Sequence, residues 1–283
     1  MKKADSWQSI VFSHILLSAT HYRLSAFFSI PYLCPPMAEE YLHDKIVPDT
    51  NSAQTKKEQV AEMFDTIAPR YDFLNRFLSA GIDVSWRKKT LSKLKDLHPK
   101  LILDVATGTG DVAIMAAREL QPERIIGIDI SEKMLDGGRI KVTAKGLDSI
   151  IELKSGDSET INFPDATFDA VTVAFGVRNF EHLEKGLSEI YRVLKPGGRL
   201  VVLEFSKPLI PGFRQLCNLY IGFITPKIAG AVSNKKAYQY LNDSIKAFPE
   251  GKQFVAVLNK TGFTNTTCKP LTLGICSIYC GDK

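Results

Sequence analysis

The chain has 283 residues, 45% of them hydrophobic and 24% charged, which suits one large globular domain carrying at most a modest cap. Its formal charge is only +5 and its Lys and Arg are interspersed with Asp and Glu, which argues against the basic patch of a nucleic-acid binder. The five cysteines (Cys34, Cys217, Cys268, Cys276, Cys280) show no metal-ligand pairing; three sit in apolar runs as small hydrophobes, so no metal and a reducing, cytoplasmic compartment are expected.

Residues 1–37 hold two short apolar stretches, one around Ile10 to Leu17 and broken by Ser13 and His14, the other around Phe27, Phe28 and Ile30. Neither approaches the roughly 18 apolar residues of a spanning helix, and no clear secretory signal is present. The expectation is a disordered tail, or an extension ahead of a start at Met37; a Ser-rich organellar presequence is the alternative. Residues 38–56, with Pro48, Asn51 and Ser52, read as a linker, so 1–56 is set apart from a domain spanning 57–283.

From Lys57 the spacing of Val60, Met63, Phe64 and Ile67 predicts a helix that ends before Pro69, and a second helix runs from about Asp72 to Leu97. The period then changes. Leu101–Ala106, Arg124–Asp129, Ile150–Leu153, Phe168–Phe175 and Arg199–Phe205 read as buried strands. Between them lie a helix through Val112, Ile114, Met115 and Leu120, a helix capped by Ser131 and closed by Gly146, and a helix from Glu181 to Leu194 that stops at Pro196-Gly197-Gly198. This alternation predicts an α/β fold with a mostly parallel sheet and helices on both faces. Residues 209–250 read as an inserted helical cap with Pro211 and Pro226 inside it. A last helix near Lys252–Lys260 precedes Phe263–Lys269 and Leu271–Cys280, a terminal antiparallel pair split at Pro270.

The strongest local chemistry is Asp104-Val-Ala-Thr-Gly108-Thr109-Gly110-Asp111, between the first strand and its helix. Glycines there let the backbone turn and approach a ligand, and the helix N-terminus behind them offers free N–H groups. Asp129, at the end of the second strand, is placed to accept hydrogen bonds from both ribose hydroxyls of an adenosine. Gly108-x-Gly110-x-x-Ala113 also fits the dinucleotide pattern, so a nicotinamide oxidoreductase is a rival. Acidic Asp104 and Asp111 favour a cationic sulfonium over a pyrophosphate, and Asp157 with Ser158 after the third strand could hold an adenine amine. S-adenosylmethionine is therefore the expected ligand.

Two stretches carry a family resemblance. Arg192-Val-Leu-Lys195-Pro-Gly-Gly198-Arg-Leu-Val-Val-Leu-Glu204-Phe-Ser206 resembles the second signature of the ubiquinone/menaquinone C-methyltransferase family, and Tyr71-Asp72-Phe-Leu-Asn75-Arg-Phe-Leu-Ser79-Ala-Gly-Ile-Asp83-Val-Ser-Trp86 resembles its first. Phe175-Gly-Val-Arg178-Asn179 and Tyr238-Gln-Tyr240 with Ser244, Phe248 and Pro249 are also family-like, and the likeness runs over about 57–283. Leu74 stands where the family usually has Met, Asp83 where it usually has His, and Ala174 where some relatives have Ser.

The resemblance implies a class I, Rossmann-like methyltransferase with a seven-stranded sheet. It implies methyl transfer from S-adenosylmethionine to a ring carbon of a polyprenyl quinol, with demethylmenaquinol preferred over 2-methoxy-6-polyprenyl-1,4-benzoquinol as acceptor. Thr109, Asp129, Asp157 and Ser158 carry over as cofactor contacts, beside Asp104, Gly108 and Gly110 of the loop. Carbon methylation needs electron release from a deprotonated ring oxygen, so a base or anion-stabilising group is expected among Arg178, Asn179, Tyr71 and Asp72. For Arg178 a surface ion pair with Glu181 is the competing expectation. Tyr238 and Tyr240 could line the ring pocket or simply pack. An isoprenoid tail implies peripheral contact at the inner face of a membrane, with Leu209–Val232 as the apolar segment suited to it, or else buried on its own domain. Oligomeric state is left open, a homodimer included, and a non-catalytic module that merely binds the cofactor is the rival outside enzymes.

Overall fold

The computed structural model describes residues 41–283, except Ala80 and, within 209–234, all but Ile210, Gly212 and Gln215. The strands run β1 (Leu101–Val105), β2 (Arg124–Asp129), β3 (Ile151–Ser155), β4 (Phe168–Ala174), β5 (Leu194–Phe205), β6 (Thr264–Leu271) and β7 (Cys276–Asp282). They form one sheet in the order β3-β2-β1-β4-β5-β7-β6. Strands β1 to β5 are mutually parallel, while β7 runs antiparallel between β5 and β6. The order reverses at β1, whose neighbours are β2 and β4. In such sheets the crevice beyond the carboxyl ends of the strands at that reversal is where ligands bind.

Helices α1 (Lys56–Leu78), α2 (Ile82–Leu91), α3 (Asp111–Glu119), α4 (Glu132–Ala144), α5 (Leu183–Val193), α6 (Lys235–Ala247) and α7 (Lys252–Lys260) surround the sheet. Alternation along the strands splits the core. Leu103, Val105, Val171, Val173 and Val202 pack with α5 and α7 through Leu183, Leu187, Ile190, Phe254 and Leu258. Ile102, Ala170, Val201 and Leu203 pack on the other face with Trp86, Leu91, Val112, Ile114 and Leu135 of α2, α3 and α4. Cys276 and Cys280 join this second layer from β7, and with Cys268 they are free thiols. Ser131 caps α4 by accepting the Met134 N–H, and Gly146 follows that helix at φ 64°.

Several expected boundaries move, each for a local reason. Helix α1 continues through Pro69 to Leu78. An internal proline costs about 3 kcal/mol, but α1 buries Val60 and Met63 before it and Leu74 after it, and the Phe64 and Tyr71 rings meet edge-on across it at 6.0 Å. Its start is set by a capping box between Thr55 and Glu58. The long second helix is instead broken at Gly81, whose φ of 78° is left-handed; α2 then ends at Leu91, and a 3-10 turn follows over Ser92–Leu97. Lys195-Pro-Gly-Gly198 falls inside β5. Leu194 pairs with Phe168 and, after an irregularity, Arg199 pairs with Ala170; a Cβ on Gly198 would sit 2.9 Å from the Asp169 carbonyl. Strand β6 runs through Pro270, which an edge strand tolerates, and the turn comes after it at Thr272–Gly274. Of the expected cap over 209–250, the described part is Ile210, Gly212, Gln215, α6 and the Phe248–Glu250 stretch after it.

From Tyr41 the stretch expected to be a linker is packed on the domain. A 3-10 helix spans Leu42–Lys45. The Tyr41 hydroxyl donates to Glu184 at 2.6 Å, and the Lys56 ammonium donates to the His43 carbonyl at 2.7 Å. The His43 ring is fully buried, edge-on to Phe248 at 5.9 Å. Burial, with the nearby Lys56 charge, pushes its pKa down to about 3. The unfolded chain therefore binds a proton near pH 6.5 that the folded ring refuses, so this residue's stabilisation is present above that pH and lost below it. Relative to His43→Leu, the wild type should lose about 2 kcal/mol between pH 7 and pH 5. Urea denaturation of both proteins at the two pH values checks this; parallel pH profiles would refute it.

Candidate active site

The loop after β1 enters the crevice through an uncommon backbone. Ala106 closes β1 at φ 53°, and Gly108 and Gly110 follow at φ 55° and 75°. Phe175, which closes β4, also has φ 58°. Left-handed conformations at non-glycine residues cost about 1 kcal/mol or more and concentrate at functional sites. The two strained strand ends meet, since a Cβ on Gly176 would lie 2.5 Å from that of Ala106. The turn carrying Arg178 and Asn179 is thereby pressed against the glycine loop.

Asp129 ends β2 and is held in place by backbone. Its Oδ2 accepts the Gly108 N–H at 2.8 Å and its Oδ1 accepts the Ser131 N–H at 2.9 Å. Burial nevertheless pushes its pKa up to about 6. Asp104 is buried in β1, accepts Thr107 Oγ1 and Thr172 Oγ1 at 2.6 Å each, and is also raised by burial to about 6. With both oxygens engaged inside the fold, Asp104 braces the loop while lining the cavity beside it. Asp157 follows β3 at the level of Asp129, because the Gly156 N–H donates to the Asp129 carbonyl at 3.0 Å. Burial would raise Asp157, but the Glu159 N–H and the Lys57 ammonium hold it below the usual carboxylate range. Ser158 is half-buried next to it.

Sequence reasoning missed how α1 lies across this crevice. Lys57 pairs with Asp157. Asp65 accepts Ser131 Oγ at 2.6 Å, and Asp72 accepts Thr109 Oγ1 at 2.6 Å. Each of the three contacts joins α1 to a residue expected at the cofactor site or next to it. An ionic chain continues from there: Lys141 donates to Asp72 at 2.7 Å and to Asp111 at 2.5 Å, and Arg87 lies 3.3 Å from Asp111 and 2.5 Å from Asp83. Asp83, where the family usually has His, is buried in an ion pair with Arg87. The i, i+4 spacing of Asp83 and Arg87 was the available signal. Tyr71, Arg87, Asp104, Gly108, Thr109, Asp111 and neighbouring residues line a cavity of about 30 Å³.

Arg178 and Asn179 sit in a 3-10 turn after β4. The expected ion pair between Arg178 and Glu181 does not form; Glu181 accepts the Lys56 N–H instead. Arg178 is buried, and its Nη1 donates to Glu204 at 2.8 Å and to the Phe175 carbonyl at 2.5 Å. Its Nε is buried with no partner among the described residues, and its guanidinium stands 5.5 Å from the Phe205 ring centre. Glu204 is fully buried and also accepts the Arg178 and Phe205 backbone N–H groups. Tyr240 packs with Val60 and Met63 and donates to Asn179 Oδ1 at 3.1 Å. Tyr71 bonds Asn75, and burial raises its phenol. Apart from these residues, Glu159, Glu181 and His182 bring ligand atoms within 4.8 Å of one another, with Lys57 and Lys185 at 3.9 and 3.8 Å from Glu159.

Residues 52–283 match the model of the ubiE/COQ5 methyltransferase family. The chain is 49% identical over 244 residues to a demethylmenaquinone methyltransferase of Bacteroides fragilis, covering 86% of this chain and 99% of the relative. It is 49% identical to a ubiquinone/menaquinone biosynthesis C-methyltransferase of Geotalea daltonii (81% and 97% covered), and 45% identical to a demethylmenaquinone methyltransferase of Deinococcus radiodurans (83% and 97%). Among solved structures, a putative S-adenosylmethionine-dependent methyltransferase from Methanococcus maripaludis aligns with a TM-score of 0.56 at 19% identity, covering 78% of this chain and 94% of that one. That likeness shows the class I methyltransferase fold. The sheet order, the glycine loop and the match across most of the chain place this protein in the ubiE/COQ5 methyltransferase family.

Proposed function

We propose that the protein transfers a methyl group from S-adenosylmethionine to a ring carbon of a polyprenyl quinol, and that demethylmenaquinol is the acceptor. The relatives named for demethylmenaquinone methylation support the choice of acceptor. The observation that carries the chemistry is the buried guanidinium of Arg178, in a turn pressed against the glycine loop, whose Nε has no partner among the described residues.

The residues present fit the methyl donor. Gly108 and Gly110 hold left-handed turns that bring the loop backbone into the crevice. Asp129 retains lone pairs for ribose hydroxyls beyond the two N–H groups it already accepts, and Asp157 with Ser158 suits an adenine amine. When bound, the donor supplies an electrophilic methyl group on a positively charged sulfur. Asp104, Asp111 and Asp129 stabilise that positive charge. Helix α1, joined to the crevice by Lys57, Asp65 and Asp72, excludes water from it.

The acceptor carbon becomes nucleophilic when a neighbouring ring hydroxyl loses its proton. Arg178 stabilises the resulting oxyanion by donating from Nε, and Glu204 holds the guanidinium in position. Asn179, fixed by Tyr240, and Tyr71, fixed by Asn75, flank this group and orient the ring. The isoprenoid chain of the acceptor brings the protein to the cytoplasmic face of a membrane as a peripheral contact. No described helix is long and apolar enough to cross one, and Leu209–Val232, the segment expected to make the contact, lies outside the described residues apart from Ile210, Gly212 and Gln215.

Incubation with methyl-labelled donor, followed by lipid extraction, should label reduced demethylmenaquinone and not its oxidised form; label in neither, or in the methoxy-polyprenyl-benzoquinol alone, overturns the assignment. Asp129→Ala should weaken donor binding by at least about tenfold in calorimetry, and unchanged affinity would refute the ribose contact. Because burial raises Asp129 and Asp104 alike to about 6, wild-type donor affinity should rise from pH 5 to pH 7 and then level, with a smaller rise in Asp129→Asn, where Asp104 still titrates. Arg178→Lys should lower kcat by roughly a hundredfold while leaving donor affinity within about threefold. A matched loss in both would indicate a folding defect.

A further inference from the structure

We propose that Arg87, held by Asp83, binds the α-carboxylate of the methyl donor; this rests on reading the crevice as an S-adenosylmethionine site. The donor's amino-acid end carries an ammonium, a sulfonium and a carboxylate. Asp104, Asp111 and Asp129 suit the two cations and repel the carboxylate, so the anionic group needs a cation inside an otherwise acidic crevice.

Arg87 is the basic side chain among the residues lining the cavity, where it faces the same space as Gly108, Thr109 and Asp111. It is 6% exposed, and among the described residues its polar contacts are made by Nη1, at 2.5 Å from Asp83 and 3.3 Å from Asp111. A guanidinium has five N–H donors in a planar fork that matches a carboxylate, and those on Nε and Nη2 are not used in these contacts. The other cations nearby are less suited. Lys141 has three N–H groups and three acceptors, Asp72, Asp111 and Thr109, at 2.7, 2.5 and 2.9 Å. Arg76 is 52% exposed and reaches Asp111 at 4.0 Å.

Asp83 is the positioning residue. It is buried on the same face of α2 one turn before Arg87 and accepts Ser79 Oγ at 2.8 Å as well as the guanidinium. With one edge of the fork fixed in this way, the remaining N–H groups are oriented before the ligand arrives, so less side-chain entropy is lost on binding. The carboxylate at position 83 thus serves a function in this chain that a neutral imidazole could not supply with the same charge.

The test compares calorimetric affinity for S-adenosylmethionine and for its decarboxylated analogue, which keeps the nucleoside, sulfonium and amine. Wild type should prefer the carboxylated molecule by at least about tenfold. Arg87→Gln should shrink that preference to within about twofold while leaving the analogue's affinity within about threefold. Arg87→Lys, which keeps the charge and protects the fold, should retain part of the preference, and Asp83→Asn should narrow it without abolishing binding. A wild type that binds both molecules equally overturns the assignment of Arg87 alone, as does an Arg87→Gln or Arg87→Lys protein that weakens both ligands in the same proportion or keeps the full preference. A wild type that binds neither molecule overturns the cofactor reading as well.

Discussion

The site depends on one carboxylate held at the tip of β2. Asp129 accepts an N–H from the glycine loop after β1 and another from the start of α4, so a single side chain ties together the ends of two strands and a helix. The arrangement opposes burial, which raises its pKa to about 6. A carboxylate kept in such a place costs stability unless it is fully hydrogen-bonded. Gly108 meets that requirement by turning its N–H toward Asp129 at a left-handed φ that a side chain would disfavour. The glycine loop therefore serves the carboxylate before it serves any ligand.

A second constraint comes from α1, which would be an ordinary amphipathic helix but for its polar inner positions. Lys57, Asp65 and Asp72 recur along it and each reaches a residue at the crevice. From Asp72 the charges alternate through Lys141, Asp111 and Arg87 to Asp83. Partly buried chains of this kind contribute little net stability, yet losing one member strands a charge on its neighbour. They fix one arrangement of the N-terminal helices over the crevice, and a site that must exclude water gains from that rigidity.

The parallel sheet was legible because strands buried on both faces are short apolar runs: Arg124–Asp129 and the helix Lys252–Lys260 match the sequence reading residue for residue. The glycine turn and the positions of Asp129 at the end of β2 and of Asp157 just after β3 were legible because a turn and the ends of strands are local features. What escaped was set by contacts distant in sequence. Pro69 stops a helix in isolation, but buried residues on both sides carry α1 through it. The polar stretch from Tyr41 looks like a linker until Glu184 and Phe248, from elements far along the chain, meet Tyr41 and His43. Thr109 and Asp72 were each singled out, yet nothing in their spacing of 37 residues signals that they touch.

Glu204 shows where such a reading can be sharpened. It stands in β5 among Val202, Leu203 and other fully buried residues, a position where an acid contradicts the pattern of the strand. Its partner Arg178 is buried opposite it, and an apolar pair of similar size would hold the core about as well. Local violations that a fold retains point to function more often than to stability. The geometry gives that function a direction, because Glu204 and the Phe175 carbonyl take Nη1 and leave Nε buried with no partner among the described residues. In the proposed reading, a guanidinium pinned on one edge and without a described partner at the other would meet an anion that forms only during turnover, which is what a hydroquinone losing its proton provides.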